Sequence, residues 1–129
     1  MLRSLLVVVL FLTSNSLYAL GLGEIQLDSG LNQRFKARIP VTVSEKAEPT
    51  DLIVKLADNE RFKQAGIERR GYVLSLNFET LRGEDGQMYI SVNSRDRIRE
   101  PMLSFVLEVL HEGTRTMRSY STFIGESGM

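Results

Sequence analysis

From residue 25 onward, apolar side chains recur at alternate positions in short runs, each closed by turn-forming residues. Ile25 and Leu27 alternate with Glu24, Gln26 and Asp28, and Gly30-Leu31-Asn32 ends the run. Phe35, Ala37, Ile39 and Val41 alternate with Arg34, Lys36 and Arg38. A period of two is the signature of a half-buried strand. Pro40 lacks the N–H that a ladder needs, so this end is expected at an edge or a bulge. Ser44 to Thr50 is a polar loop with Pro49. Further runs follow at Leu52, Val54 and Leu56; at Leu74, Leu76 and Phe78; at Met88, Ile90 and Val92; and at Leu103, Phe105, Leu107 and Val109. Arg82 to Gln87 (RGEDGQ) and His111-Glu112-Gly113 are hairpin signals, and Thr116 to Ile124 completes the second hairpin with Tyr120 as its largest side chain.

The period changes once. In Asp58 to Gly66, Phe62 and Ala65 lie three apart and share a helical face, Asp58 offers an N-cap and Gly66 a C-cap. This predicts one short helix of about two turns; the alternative is an irregular loop. About seven short strands with regular turn signals and a single helical segment predict an all-β fold, an antiparallel, immunoglobulin-like β-sandwich. Consecutive strands argue against a parallel sheet.

The first 19 residues read differently. Arg3 precedes the unbroken apolar run Leu5 to Leu12, then come Thr13-Ser14-Asn15-Ser16 and Leu17-Tyr18-Ala19. That is the order of a secretory signal peptide, with cleavage expected after Ala19. The alternative is an uncleaved anchor, since Ser4 to Gly23 carries no charge; four successive polar residues near its middle argue against it. The predicted division is a signal peptide over 1–19 and one domain over 20–129, in the periplasm. The exported domain has 129 − 19 = 110 residues and no cysteine. A chain of that size buries roughly 65% of its unfolded surface and folds without covalent staples.

Lys+Arg and Asp+Glu number 16 each, giving a net charge of zero. No large field of one sign is available to attract nucleic acid or an anionic membrane. His111 is the only histidine. Zinc normally needs several Cys or His ligands, and a Ser-His-Asp reading would need a distant serine and acid to converge on a hairpin; an exposed turn residue is the simpler reading. Gly21-Leu22-Gly23 follows no strand and opens no helix, so it is not a phosphate loop. No cofactor, metal, nucleic acid or small-molecule substrate is expected, and contact with a membrane only through an uncleaved leader.

The polar segment of most interest runs from Asn93 to Pro101 (NSRDRIREP), read as a charged loop. Arg95, Arg97, Arg99 and Glu100 are its candidate partner-binding residues, because guanidinium binds carboxylates in a bidentate fork. The competing reading is local pairing of Arg95 or Arg97 with Asp96 or Glu100, which contributes only about 0–1 kcal/mol. Glu68-Arg69-Arg70 is a second cluster of the same kind.

"ALGLGEIQL" after the leader, then "LNQ…A.IPV", "IVKLA…RF..AG", "ISVNSR..I.EP.LSF.LEV" and "R.Y" resemble the N-terminal periplasmic domain of FimV-type proteins. The matching positions run in order from Leu20 to Tyr120 and include Leu20 to Leu27, Ser94, Arg95, Glu100, Pro101, Arg118 and Tyr120. Arg34 stands where the family often has proline, and Gly125-Glu126-Ser127 replaces an acidic, proline-rich exit. The resemblance implies a non-enzymatic envelope module supporting type IV pilus assembly, twitching motility or organisation of the cell pole, with an unidentified envelope or pilus-assembly protein as partner. Long members continue into a LysM motif, a membrane span and a cytoplasmic region. This chain stops at Met129, which suits either a free periplasmic partner or the remnant of a truncated FimV-like gene. A cell-wall glycan-binding module is the alternative function; its stacking platforms would be Tyr72, Tyr89 and Tyr120. A small hydrolase leaning on His111 is the weakest reading.

Overall fold

A computed structural model of the chain describes residues 20–125. The predicted signal peptide, its cleavage point and residues 126–129 lie outside the described residues. Eight strands form two antiparallel sheets: β1 (Gly21–Leu22), β2 (Gln26–Leu27), β3 (Arg34–Thr42), β4 (Ile53–Leu56), β5 (Leu76–Arg82), β6 (Met88–Arg97), β7 (Met102–His111) and β8 (Thr114–Phe123). One sheet has the order β1-β3-β6-β5, with β2 also on β3; the other is β4-β7-β8. The predicted antiparallel sandwich is therefore observed; of the first expected strand only Gln26–Leu27 remains, as β2, and β1 was not foreseen.

Alternation puts Phe35, Ala37, Ile39 and Val41 of β3 and Met88, Ile90 and Val92 of β6 on the buried face of the first sheet. Leu103, Phe105, Leu107 and Val109 of β7 face them, joined by Tyr120 of β8. The Phe105 ring links the layers, 5.9 Å from Phe78 and 5.6 Å from Tyr120 between centroids. Each fully buried large side chain of this kind contributes about 1.5–3 kcal/mol. Strand β7 departs from simple alternation, because Val106 and Glu108 on its outer face are also buried. β7 is the central strand of its sheet. The Ala57 N–H donates to the Val106 carbonyl at 2.9 Å, where the chain turns from β4 into the helix. The Glu108 carboxylate lies between Lys55 (3.1 Å) and Arg115 (3.3 Å), which offset the cost of its burial.

The helix α1 (Asn59–Ala65) has the predicted limits. Asp58 accepts from the Arg61 N–H at 3.0 Å, and Gly66 ends the helix with φ 72°. Phe62 is buried but Ala65 is exposed, so this two-turn helix seats a single side chain. Two other expectations need correction, while Pro40 sits at a bulge, as expected, since the register on β3 slips by one residue between β1 and β2. Leu74 does not belong to a strand: Gly71–Ser75 form a 3-10 turn that buries Val73 and Ser75 and leaves Leu74 56% exposed. Asn93–Arg97 are not a loop, because β6 continues through them. Pro40 lies within β3, paired to Tyr89 of β6. Its carbonyl accepts from the Gly23 N–H at 2.8 Å. A residue turns both backbone groups to the same neighbour, so the missing N–H faces the break between β1 and β2, where no ladder partner is lost.

Candidate interaction surface

The segment chosen from sequence owes its shape to a bulge. Arg34 pairs with Arg97 and Lys36 with Asn93, so Phe35 alone opposes Ser94, Arg95 and Asp96. The disrupted ladder leaves the Phe35 N–H without a carbonyl. The buried Ser94 hydroxyl takes its place, accepting from Phe35 N at 2.7 Å and donating to the Asp96 carbonyl. Beyond the bulge, Ile98 is buried, its N–H donates to the Gln33 carbonyl at 3.0 Å and its own carbonyl accepts from the Asn32 N–H at 3.0 Å. The backbone that carries Arg95, Arg97 and Arg99 is thus fixed on both sides while the three side chains are exposed.

None of these three guanidinium groups forms an ion pair or side-chain hydrogen bond with a described residue, so the local pairing with Asp96 or Glu100 is not observed. Arg38, Lys55, Arg70, Arg82, Arg115 and Arg118, by contrast, all reach a carboxylate within 4 Å. Glu100 is separated from the arginines. It is half buried and lines a cleft of about 510 Å³ with Gly66, Ile67, Tyr72, Pro101 and Met102. In that cleft the Tyr72 hydroxyl donates a long bond to the Met102 carbonyl at 3.5 Å. Burial raises its pKa from the ordinary 10.0, against the opposing pull of Arg70. Arg34 is the residue that sequence reasoning missed: the register sets it directly opposite Arg97, 63 residues away by 97 − 34. Exposed Lys36 follows on the same face of β3, so the true rim is Arg34, Lys36, Arg95, Arg97 and Arg99.

A second constellation was not foreseen as a unit. Arg118 of β8 donates to the Leu22 carbonyl and, at 2.9 Å, to the Glu24 carboxylate, and it lies 5.0 Å over the Tyr120 ring. The Tyr120 hydroxyl donates to the Gly23 carbonyl at 2.9 Å. Burial pushes the pKa of this hydroxyl up to about 12, although the Arg118 cation opposes the shift. Together the two side chains clamp the N-terminal strap, which belongs to the other sheet.

His111 is the last residue of β7 rather than a turn residue, and it is half buried. The turn itself is Glu112-Gly113, with φ of 49° and 77°, the pair of left-handed conformations that a two-residue hairpin loop requires. The His111 Nδ1 is buried with no partner among the described residues, and neither a nucleophile nor a carboxylate bonds to the ring. Among the described residues no group of three or more His, Asp and Glu side chains is placed to hold a metal, and no helix is long and apolar enough to cross a membrane. Tyr120 is buried, Tyr72 and Tyr89 are half buried, and Phe123 is 73% accessible.

The family model of the FimV N-terminal Ig-like domain matches residues 20–126. The chain belongs to this family. It is 35% identical over 113 residues to the motility hub protein FimV of Pseudomonas aeruginosa, in strain PAO1 and equally in strain UCBPP-PA14. The match covers 88% of this chain and 12% of either relative, so the chain spans about an eighth of their length. No solved structure matches it significantly. Within the FimV N-terminal domain seen here, the strap from Leu20 to Leu27 and the pair Arg118 and Tyr120, far apart in sequence, are the two halves of the clamp. Ser94 secures the bulge, and the Pro101 carbonyl accepts from the Ile124 N–H at 2.8 Å. These residues do architectural work.

Proposed function

We propose that this chain is a periplasmic protein-interaction module that supports motility by docking an envelope or pilus-assembly protein, and that it acts by binding rather than catalysis. The observation that carries the reading is the match to the FimV N-terminal domain over residues 20–126, with relatives named as motility hub proteins. A hub works through contacts with other proteins. The chemistry of the domain agrees with that role: its lone histidine ends a strand without an acid or nucleophile attached, and exposed cationic side chains offer recognition rather than reaction. The leader pattern of residues 1–19 supplies the route to the periplasm, with the domain over 20–129 released after Ala19.

The test is a fractionation combined with in-cell crosslinking. The chain should be recovered from the periplasmic fraction beginning at Leu20. Crosslinkers placed on its surface should reproducibly capture one envelope or pilus-assembly protein, and cells lacking the chain should twitch less. Recovery from the cytosol, or crosslinking no stronger than that of a surface-scrambled control, overturns the proposal.

A further inference from the structure

We infer that the cationic rim at the bulged end of β3 and β6 receives an extended acidic segment of a partner protein, seated across Arg34 and Arg97. The inference rests on the interaction-module reading and adds the partner's chemistry.

Three observations converge. First, Arg34 and Arg97 are direct cross-strand partners, and like charges in that position repel. No described carboxylate lies within 4 Å of either guanidinium group. A carboxylate placed between the two heads would turn an unfavourable pair into two charge-assisted bonds. Second, the chain has no net charge, so this patch is not a by-product of general basicity. Six cations elsewhere hold acid partners and Lys46, Arg61, Lys63 and Arg69 hold none, but Arg34, Lys36, Arg95, Arg97 and Arg99 are the ones that gather at one bulged strand pair without an acid partner among the described residues. Third, the rim is rigid and its spacing suits an extended chain. Its backbone is tied by Ser94 and by the paired bonds of Ile98 with Asn32 and Gln33. Arg34 and Lys36, alternate residues of one strand, are about 6.8 Å apart along it, the repeat of alternate residues in an extended peptide. Acidic residues at every second position can therefore meet successive cations.

The surroundings favour a peptide over a lipid surface. The outer face beside the rim carries Ser91 and Asn93, bonded to each other at 2.9 Å, and Asp96 stands among the arginines. A membrane-docking patch would need apolar side chains at this place to enter the acyl boundary.

Fluorescence anisotropy with the purified chain tests this, using a labelled peptide with glutamate at every second position, its glutamine counterpart, and phosphatidylglycerol vesicles as competitor. The acidic peptide should bind and the glutamine peptide should not. The double substitution R34Q/R97Q should weaken binding by about tenfold or more, with the thermal midpoint unchanged or raised. The control K46Q/K63Q removes the same charge from exposed residues elsewhere and should stay within about twofold of the parent. Equal weakening by both variants, binding of the glutamine peptide, or tight rim-dependent binding to vesicles without peptide binding overturns the inference. The crosslinking experiment separates it from the reading beneath it. If R34Q/R97Q still captures the envelope partner at the parental level, the rim is not the contact and the module reading stands; if the parent captures nothing, the module reading falls.

Discussion

At the N-terminal strap, Arg118 directs its donors inward. It holds a carbonyl, a carboxylate and an aromatic face, and so ties the strap, itself paired to β3, to the opposite sheet. At the bulged rim, Arg97 faces another arginine and no acid. Both guanidinium groups sit on strands of one sandwich and carry the same charge, so the difference lies in what the fold brings to them. The clamp is satisfied within the chain and therefore serves stability. The rim is left unsatisfied and slightly repulsive, at a stability cost that a solitary domain has no need to bear. Local conflict of this kind is the observation from which the docking proposal starts.

The contrast is open to attack from several sides, and the clamp should give the largest effects. Tyr120→Ala removes a buried ring stacked on Phe105 and the bond to Gly23, and should destabilise the domain by about 3–5 kcal/mol in urea unfolding. Tyr120→Phe should cost only about 0.5–1.5 kcal/mol, the worth of one hydrogen bond. A loss for Tyr120→Ala no larger than for Tyr120→Phe would show that the ring is not part of the core.

Alkali should dissolve the clamp next. The folded-state pKa of Tyr120, about 12, lies above the ordinary 10.0, so the fold favours the neutral hydroxyl. That contribution is complete below pH 10 and is lost as pH rises toward 12. Stability should fall over this window by on the order of 2–3 kcal/mol, and this component should vanish in Tyr120→Phe. A parent and variant with the same alkaline profile would remove Tyr120 from the account.

Within the rim, Ser94→Ala leaves the buried Phe35 N–H unsatisfied and should cost about 1–3 kcal/mol. It should also loosen the bulge, read as faster hydrogen exchange at Phe35 and Ile98. Arg34→Gln should have the smallest effect and the opposite sign, a gain of about 0.2–1 kcal/mol that fades at high salt. A loss there would mean that Arg34 has a stabilising role that the register does not reveal.

The fold was legible because its strands obey a local rule. Phe35 to Val41 and Leu103 to Val109 alternate, and alternation needs no knowledge of the partner strand. The helix was legible for the same reason, with Asp58 and Gly66 marking its ends. Leu74 was misread because alternation with Leu76 and Phe78 continues across a 3-10 turn. The charges of Asn93–Arg97 resemble those of a loop, but the strand continues: Asn93 pairs with both Lys36 and Asn77, Ser94 with Leu76 and Arg97 with Arg34, and the exposed side chains of Arg95 to Arg97 conceal it. The site was only half visible. Arg95, Arg97 and Arg99 stand out as a cluster, whereas Arg34 joins them through a register that no short window contains. Glu100 adjoins them in sequence and leaves them in space, because the turn at Pro101 carries it to the cleft. The clamp was invisible as a unit, since Glu24 and Arg118 meet only after the two sheets pack.

The most direct measurement is nuclear magnetic resonance of the arginine Nε–Hε groups during titration with the glutamate-rich peptide. The Arg34 and Arg97 signals should move together and saturate, with Arg95 and Arg99 following, while Arg118 stays in place. A titration that shifts Arg118 as much as Arg97, or that leaves Arg34 and Arg97 unmoved, contradicts the division between clamp and rim.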